Sequence, residues 1–279
     1  MNPVLYLEHL SDSDLDLLAR VAVARDTATF LVHLRADPAH FDTVLASPEL
    51  DHALFAGGTE ESLLRASPFL VFAVLVSRVR AYLAGASYVE EWVAPQRRMP
   101  VFDVSDLREF AADPANRLFL AEVLASYTRV FSGSAWTRTR RGWRRSRFSE
   151  LDPVRLLQLA ESSPSTERQA IYRRLGDLSL FLTSVFPDYA AVRPLSLVQR
   201  GRLHRHLFPS EANYTVNNGG DLPLLEQLGR RSYQLAGQTA ETGLIQMASD
   251  FSSARRVLNV LTDRYLFPYR RLWFPLPES

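Results

Sequence analysis

Apolar residues recur along this chain at intervals of three and four, the spacing that lines one side of an α-helix. Leu15, Leu18, Ala19, Ala22 and Val23 make one such stripe. Leu118, Val123, Leu124 and Tyr127 help make a second, and Leu175, Leu178, Phe181, Leu182 and Val185 a third. The interval Leu224 to Met247 reads as one long helix with Leu225, Leu228, Leu235, Ala236 and Leu244 inward, and Val257, Leu258, Leu261 and Tyr265 predict another. The longest apolar run, Phe69 to Val76, covers eight residues. A helix needs roughly 20 to cross a bilayer, so this run predicts the buried centre of a soluble helix and no membrane span.

Polar punctuation places the helix starts. Asp37-Pro38, Asp113-Pro114 and Asp152-Pro153 each set a side-chain acceptor before a proline, and Ser47-Pro48 and Ser67-Pro68 repeat the device. At the first helical position the missing N–H of proline leaves nothing unsatisfied, while the preceding Asp or Ser accepts from the free amides of the first turn. Ala36-Asp-Pro-Ala39 and Ala112-Asp-Pro-Ala115 share this grammar, but two unequally spaced copies do not make a repeat architecture.

These patterns predict a mainly α, multi-helical globular domain running through residues 1–279. Candidate linkers are Ala56-Gly-Gly-Thr59, Ala94-Pro-Gln-Arg-Arg-Met-Pro100 and Asn217-Asn-Gly-Gly-Asp221. The first marks the alternative organisation, an acidic N-terminal subdomain 1–58 joined to a main body 59–279.

One segment breaks the helical period. In Ser134-Ala-Trp-Thr-Arg-Thr-Arg-Arg-Gly-Trp-Arg-Arg-Ser-Arg-Phe148 two tryptophans are interleaved with arginines, which predicts a short β-hairpin or extended loop near residues 134–148. With Arg141-Gly142 as a two-residue turn, Arg140 would face Trp143, Arg138 would face Arg145 and Trp136 would face Arg147. Like charges directly opposite one another count against that pairing.

Charge makes this segment the leading candidate site. Seven arginines and no acid lie between Glu122 and Glu150, and without them the formal net charge of +1 would be −6. The chain has no lysine, only two isoleucines (Ile171 and Ile245), and abundant Ala, Leu, Val and Pro. That composition is the signature of a GC-rich genome, which explains arginine in place of lysine without explaining the clustering. Residues 1–66 carry a net −7 and residues 67–279 a net +8. Such asymmetry predicts either an anionic partner for the basic part or the acidic segment folding back upon it.

Guanidinium groups grip phosphate or carboxylate bidentately, and indoles offer stacking platforms. Trp136, Arg138, Arg140, Arg141, Trp143, Arg144, Arg145 and Arg147 are therefore the candidate residues for binding a polyanion, with nucleic acid preferred. The same hairpin could instead meet an acidic protein surface, a second protomer or the chain's own carboxylates. The aromatic, proline-rich end from Tyr265 to Pro277 is read as packing along the body, or as anchoring a partner or second protomer through Tyr269, Trp273 and Phe274.

Other chemistry finds no support in the residues. Without cysteine there is no disulfide, thiolate metal site or thiol nucleophile. His204 and His206 are two apart on an expected helix of about Leu195 to Phe208, which throws them to different sides, so no metal site is expected. No Gly-x-Ser-x-Gly elbow or phosphate-cradling glycine loop occurs, and no cofactor is implied. Glu90 and Glu91 are read as partners of Arg78, Arg80, Arg97 or Arg98. A helical enzyme with an anionic substrate, its site where Arg78, Glu90 and Arg98 converge, stands as the third reading after binding protein and assembly protein. Met1 to Ser13 lack a basic, apolar leader and contain Glu8 and Asp12, which fits a cytoplasmic address.

Overall fold

All five capping dipeptides start helices. In the computed structural model Asp37 accepts from the amide of Ala39 at 3.0 Å, Asp113 from Ala115 at 2.8 Å and Asp152 from Val154 at 3.0 Å. Ser47 and Ser67 accept from Leu50 and Leu70, each at 3.2 Å. Helices begin at Pro38, Pro48, Pro68, Pro114 and Pro153 accordingly. The described residues are 7–24, 26–55, 66–94, 97–128, 132–139, 142–149, 151–186, 195–208, 221–238, 242–267 and 273–274, with 38, 92–94, 97, 132–139, 142–149 and 242 described in backbone only.

The fold is mainly α, with two short two-stranded sheets. In chain order the elements are α1 (Asp12–Val21), α2 (Thr27–Ala36), α3 (Pro38–Leu45), α4 (Pro48–Phe55), α5 (Pro68–Gly85), β1 (Val89–Ala94), β2 (Arg97–Val101), α6 (Ser105–Ala112) and α7 (Pro114–Ser126). They continue with β3 (Ser132–Thr139), β4 (Gly142–Ser149), α8 (Pro153–Ser162), α9 (Ser165–Val185), α10 (Leu197–Leu207), α11 (Asp221–Ala236), α12 (Thr242–Ser249) and α13 (Phe251–Leu261). A π-helical turn, Thr262–Leu266, follows α13.

The chain divides into two compact units: Met1–Glu90 with Pro100–Thr128 and Val260–Trp273, and Glu91–Met99 with Arg129–Asn259 and Phe274–Ser279.

The first unit is organised on α5, which packs against α7, α6 and α3. Phe69 to Val76 are at most 3% exposed, and full burial of each large apolar side chain contributes about 1.5–3 kcal/mol. By length and apolarity α5 could cross a membrane, yet most of it is buried within the protein. Both its ends are tied down. Buried Asp14 accepts from the amide of Ser11, closing the capping box of α1, and from the amide of Ser67 at 2.8 Å, joining α1 to the start of α5. At the far end Arg108 donates to the carbonyl of Leu83 (2.8 Å), which also accepts from the cap amide of Ala86 at 3.3 Å, and to the carbonyl of Ala86 (2.6 Å). Trp273 is buried here, edge-on to Phe72 with ring centroids 5.5 Å apart.

The second unit is built on the pair α9 and α11, flanked by α8, α10 and α12. The pair packs closely through glycine. A Cβ on Gly176 would meet the Tyr233 ring at 2.5 Å, and one on Gly229 would meet the Phe251 ring at 2.4 Å and the Ser179 side chain at 2.9 Å. Tyr233 is fully buried and donates its hydroxyl to Asp177 at 2.9 Å. Buried Ser179, Thr183 and Ser184 satisfy their hydroxyls on carbonyls one turn back in α9. Phe274 is buried against Phe181 and Phe186, with centroids 5.0 and 6.1 Å away.

The structure corrects three local expectations. Leu224 to Met247 is not one helix, because α11 ends at Ala236 and α12 restarts at Thr242. Gly237, which has the lowest helix propensity after proline, follows the last helical residue. Val23 does not extend the stripe of α1 and is 89% exposed. A second sheet, β1 with β2, occupies the stretch read as a linker from Ala94 to Pro100.

Candidate anion-binding hairpin

The Arg/Trp segment does form an antiparallel hairpin, in a register two residues away from the expected one. Trp136 pairs with Arg145, Thr137 with Arg144, Arg138 with Trp143 and Thr139 with Gly142. Gly142 is therefore a strand residue rather than half of a turn, and Arg140 and Arg141 lie outside the described residues. The observed register replaces an arginine opposite an arginine with an arginine opposite a tryptophan, removing a like-charge pair from the ladder. Because strand residues alternate with period two, a two-residue shift changes the partners and keeps the two alternate sets intact.

Arginines of the helical units are largely engaged within the chain. Arg117, with a side chain only 4% exposed, donates to the carbonyls of Ala111 and Ala112 and pairs with Asp42. Asp42 also receives Arg80 at 3.1 Å. Burial pushes the pKa of the Arg117 guanidinium down, opposed by its hydrogen bond to Asp42. Arg78 pairs with Asp51 and stands 4.0 Å over the Phe55 ring. Asp42 and Asp51 belong to the acidic first 66 residues, so part of that acidity answers arginines of α5 and α7 within the first unit.

In the second unit Glu91 pairs with Arg255 at 2.5 Å and Arg256 at 3.5 Å. Glu226 takes Arg255 at 3.1 Å and Arg230 at 2.9 Å. Asn259, in the amide orientation that satisfies both its groups, donates to the Ser184 carbonyl at 2.7 Å and accepts from Arg255 at 3.3 Å. The partners of Glu91 thus come from α13, rather than from the arginines expected nearby in sequence. No local spacing could have revealed a bond between positions 164 apart.

The histidine helix falls close to its expected span, with α10 covering Leu197–Leu207. Its two histidines diverge, as their spacing requires. His204 lies beside Phe208 with centroids 4.8 Å apart, whereas His206 lies beside Tyr172 at 6.0 Å and has Nδ1 3.7 Å from Glu161. Burial pushes the pKa of His206 below its ordinary value, against the pull of Glu161, and pushes that of Tyr172 up. Among the described residues no group of three or more His, Asp or Glu converges as a metal site.

Arg138, Arg144, Arg145, Arg147, Trp136 and Trp143 all lie in the β3–β4 ladder. Trp273 and Phe274 sit in the cores of their own units, and Tyr269 lies outside the described residues. Family models, curated proteins and solved structures offer no match to this chain.

Proposed function

We propose that this chain is a non-catalytic helical binding protein that contacts a polyanion, a nucleic acid in first place, through the β3–β4 hairpin. The observation that carries the reading is the pairing of Trp136 with Arg145 and of Arg138 with Trp143 in a stretch without a single carboxylate. Guanidinium and indole at neighbouring register positions supply charge and stacking to the same ligand. Trp273 and Phe274 lie inside their units, which favours the hairpin over the aromatic tail as a contact surface.

The test is a titration of labelled oligonucleotide with the full chain over a range of salt. Affinity falls steeply as salt rises, because each neutralised phosphate releases counterions. Replacing Arg145 and Arg147 by Ala lowers the slope of log affinity against log salt by about 1 to 2. Binding that is unchanged in this variant refutes the proposal.

A further inference from the structure

The pairing of β3 with β4 sorts the segment into two alternate sets. Ser132, Ser134, Trp136 and Arg138 register with Ser149, Arg147, Arg145 and Trp143, while Gly133, Ala135, Thr137 and Thr139 register with Phe148, Ser146, Arg144 and Gly142. Both tryptophans and three of the four arginines in the ladder belong to the first set. Alternate residues of a strand share a face. At the four positions Trp136, Arg138, Trp143 and Arg145 tryptophan and arginine also alternate, along each strand and across the ladder, with Arg147 next along β4 and opposite Ser134.

A nucleic acid presents phosphates, which guanidinium groups grip, and base faces, on which indoles stack. A two-stranded ribbon can enter the major groove of a duplex, but the groove exposes base edges, and the faces are closed within the stack. Tryptophan at two of those four positions has little to contact there. In a single strand every base offers a face. Trp136 and Trp143 occupy diagonal positions, which on a ladder lie about 7–8 Å apart. That is roughly twice the ~3.4 Å rise between bases stacked in a duplex, so bases meeting both positions are drawn out of continuous duplex stacking.

We infer that the hairpin binds single-stranded nucleic acid in preference to duplex, with Trp136 and Trp143 taking base faces and Arg138, Arg145 and Arg147 taking phosphates. The inference rests on the nucleic-acid reading proposed above, and it adds which form of nucleic acid is selected.

The experiment compares fluorescence anisotropy of a labelled oligothymidylate with that of a labelled mixed-sequence duplex of equal length, using the full chain at low and high salt. The single strand binds at least about tenfold tighter. Trp136→Leu and Trp143→Leu each weaken single-strand binding roughly 5- to 100-fold with the salt slope unchanged, and Trp→Phe at either position restores most of the affinity. Arg145→Ala instead flattens the salt slope. Duplex binding as tight as single-strand binding overturns this inference and leaves the nucleic-acid reading standing; absence of binding to either at low salt overturns both. The comparison of strand with duplex uses the wild-type chain alone, so it decides the matter even where a variant fails to fold.

Discussion

Tyr233 occupies the space that a side chain on Gly176 would need: an added Cβ would meet its ring carbons at 2.5 Å. The ring is fully buried, and its hydroxyl is held by Asp177, so it has little freedom to swing aside. Gly176→Ala gains roughly 1 kcal/mol of helix propensity. Overpacking outweighs that gain, leaving a net loss of about 1–3 kcal/mol. Denaturant unfolding reads the change, and a variant as stable as the parent would show that α9 and α11 can part to admit a methyl group.

Asp42 is the carboxylate partner of the almost fully buried Arg117 as well as of Arg80. Removing it leaves a guanidinium desolvated without its counter-charge. Asp42→Ala is expected to cost about 3 kcal/mol. Asp51→Ala, which breaks the more exposed pair with Arg78, costs about 1 kcal/mol or less. Thermal unfolding of the two variants side by side checks the order, and equal losses contradict it.

Val23 adopts φ 52° just past the end of α1, where its amide donates to Arg20 and that of Ala24 to Ala19. This is the hydrogen-bond pattern of a helix ending that favours glycine, because a Cβ crowds the left-handed backbone. The side chain is 89% exposed, so removing it sacrifices almost no packing. Val23→Gly is predicted to stabilise by about 1 kcal/mol, after the entropy that glycine adds to the unfolded chain is subtracted. A lower unfolding midpoint for the variant would contradict this account of the strain.

Burial lowers the pKa of His206 on folding, with Arg231 adding to the effect and Glu161 opposing it. A histidine whose folded pKa lies below its unfolded value near 6.5 binds protons more readily when unfolded. Its contribution is present above about pH 6.5 and is lost as pH falls through the folded pKa. The parent should lose stability between neutral and mildly acidic pH more steeply than His206→Gln. Parallel melting curves for the two across that range would exclude the histidine as the source.

Most of the helical framework was legible because its signals are local. Asp37-Pro38 or Ser67-Pro68 fixes a start within three residues, and the eight apolar residues from Phe69 can hardly be anything but core. The break after Ala236 was hidden by an apolar period that continues to Leu244 across Gly237. The Glu91 network with Arg255 and Glu226 left no trace in any window, since charge pairing between distant positions follows from the assembled fold. The hairpin was visible as a departure from helical period. Its register depended on a turn that Arg141-Gly142 specifies weakly, and the repulsion between facing arginines pointed away from the pairing drawn from that turn.

The two-residue period of the β3–β4 ladder also constrains how its sequence can change in length. Adding or deleting two residues within either strand leaves Trp136, Arg138, Trp143, Arg145 and Arg147 in one set, with new neighbours. A single insertion between Trp143 and Arg145 separates that tryptophan from the arginines beyond it, sending them to opposite sides. Length variation inside the strands is thus compatible with the proposed contact surface only in even steps.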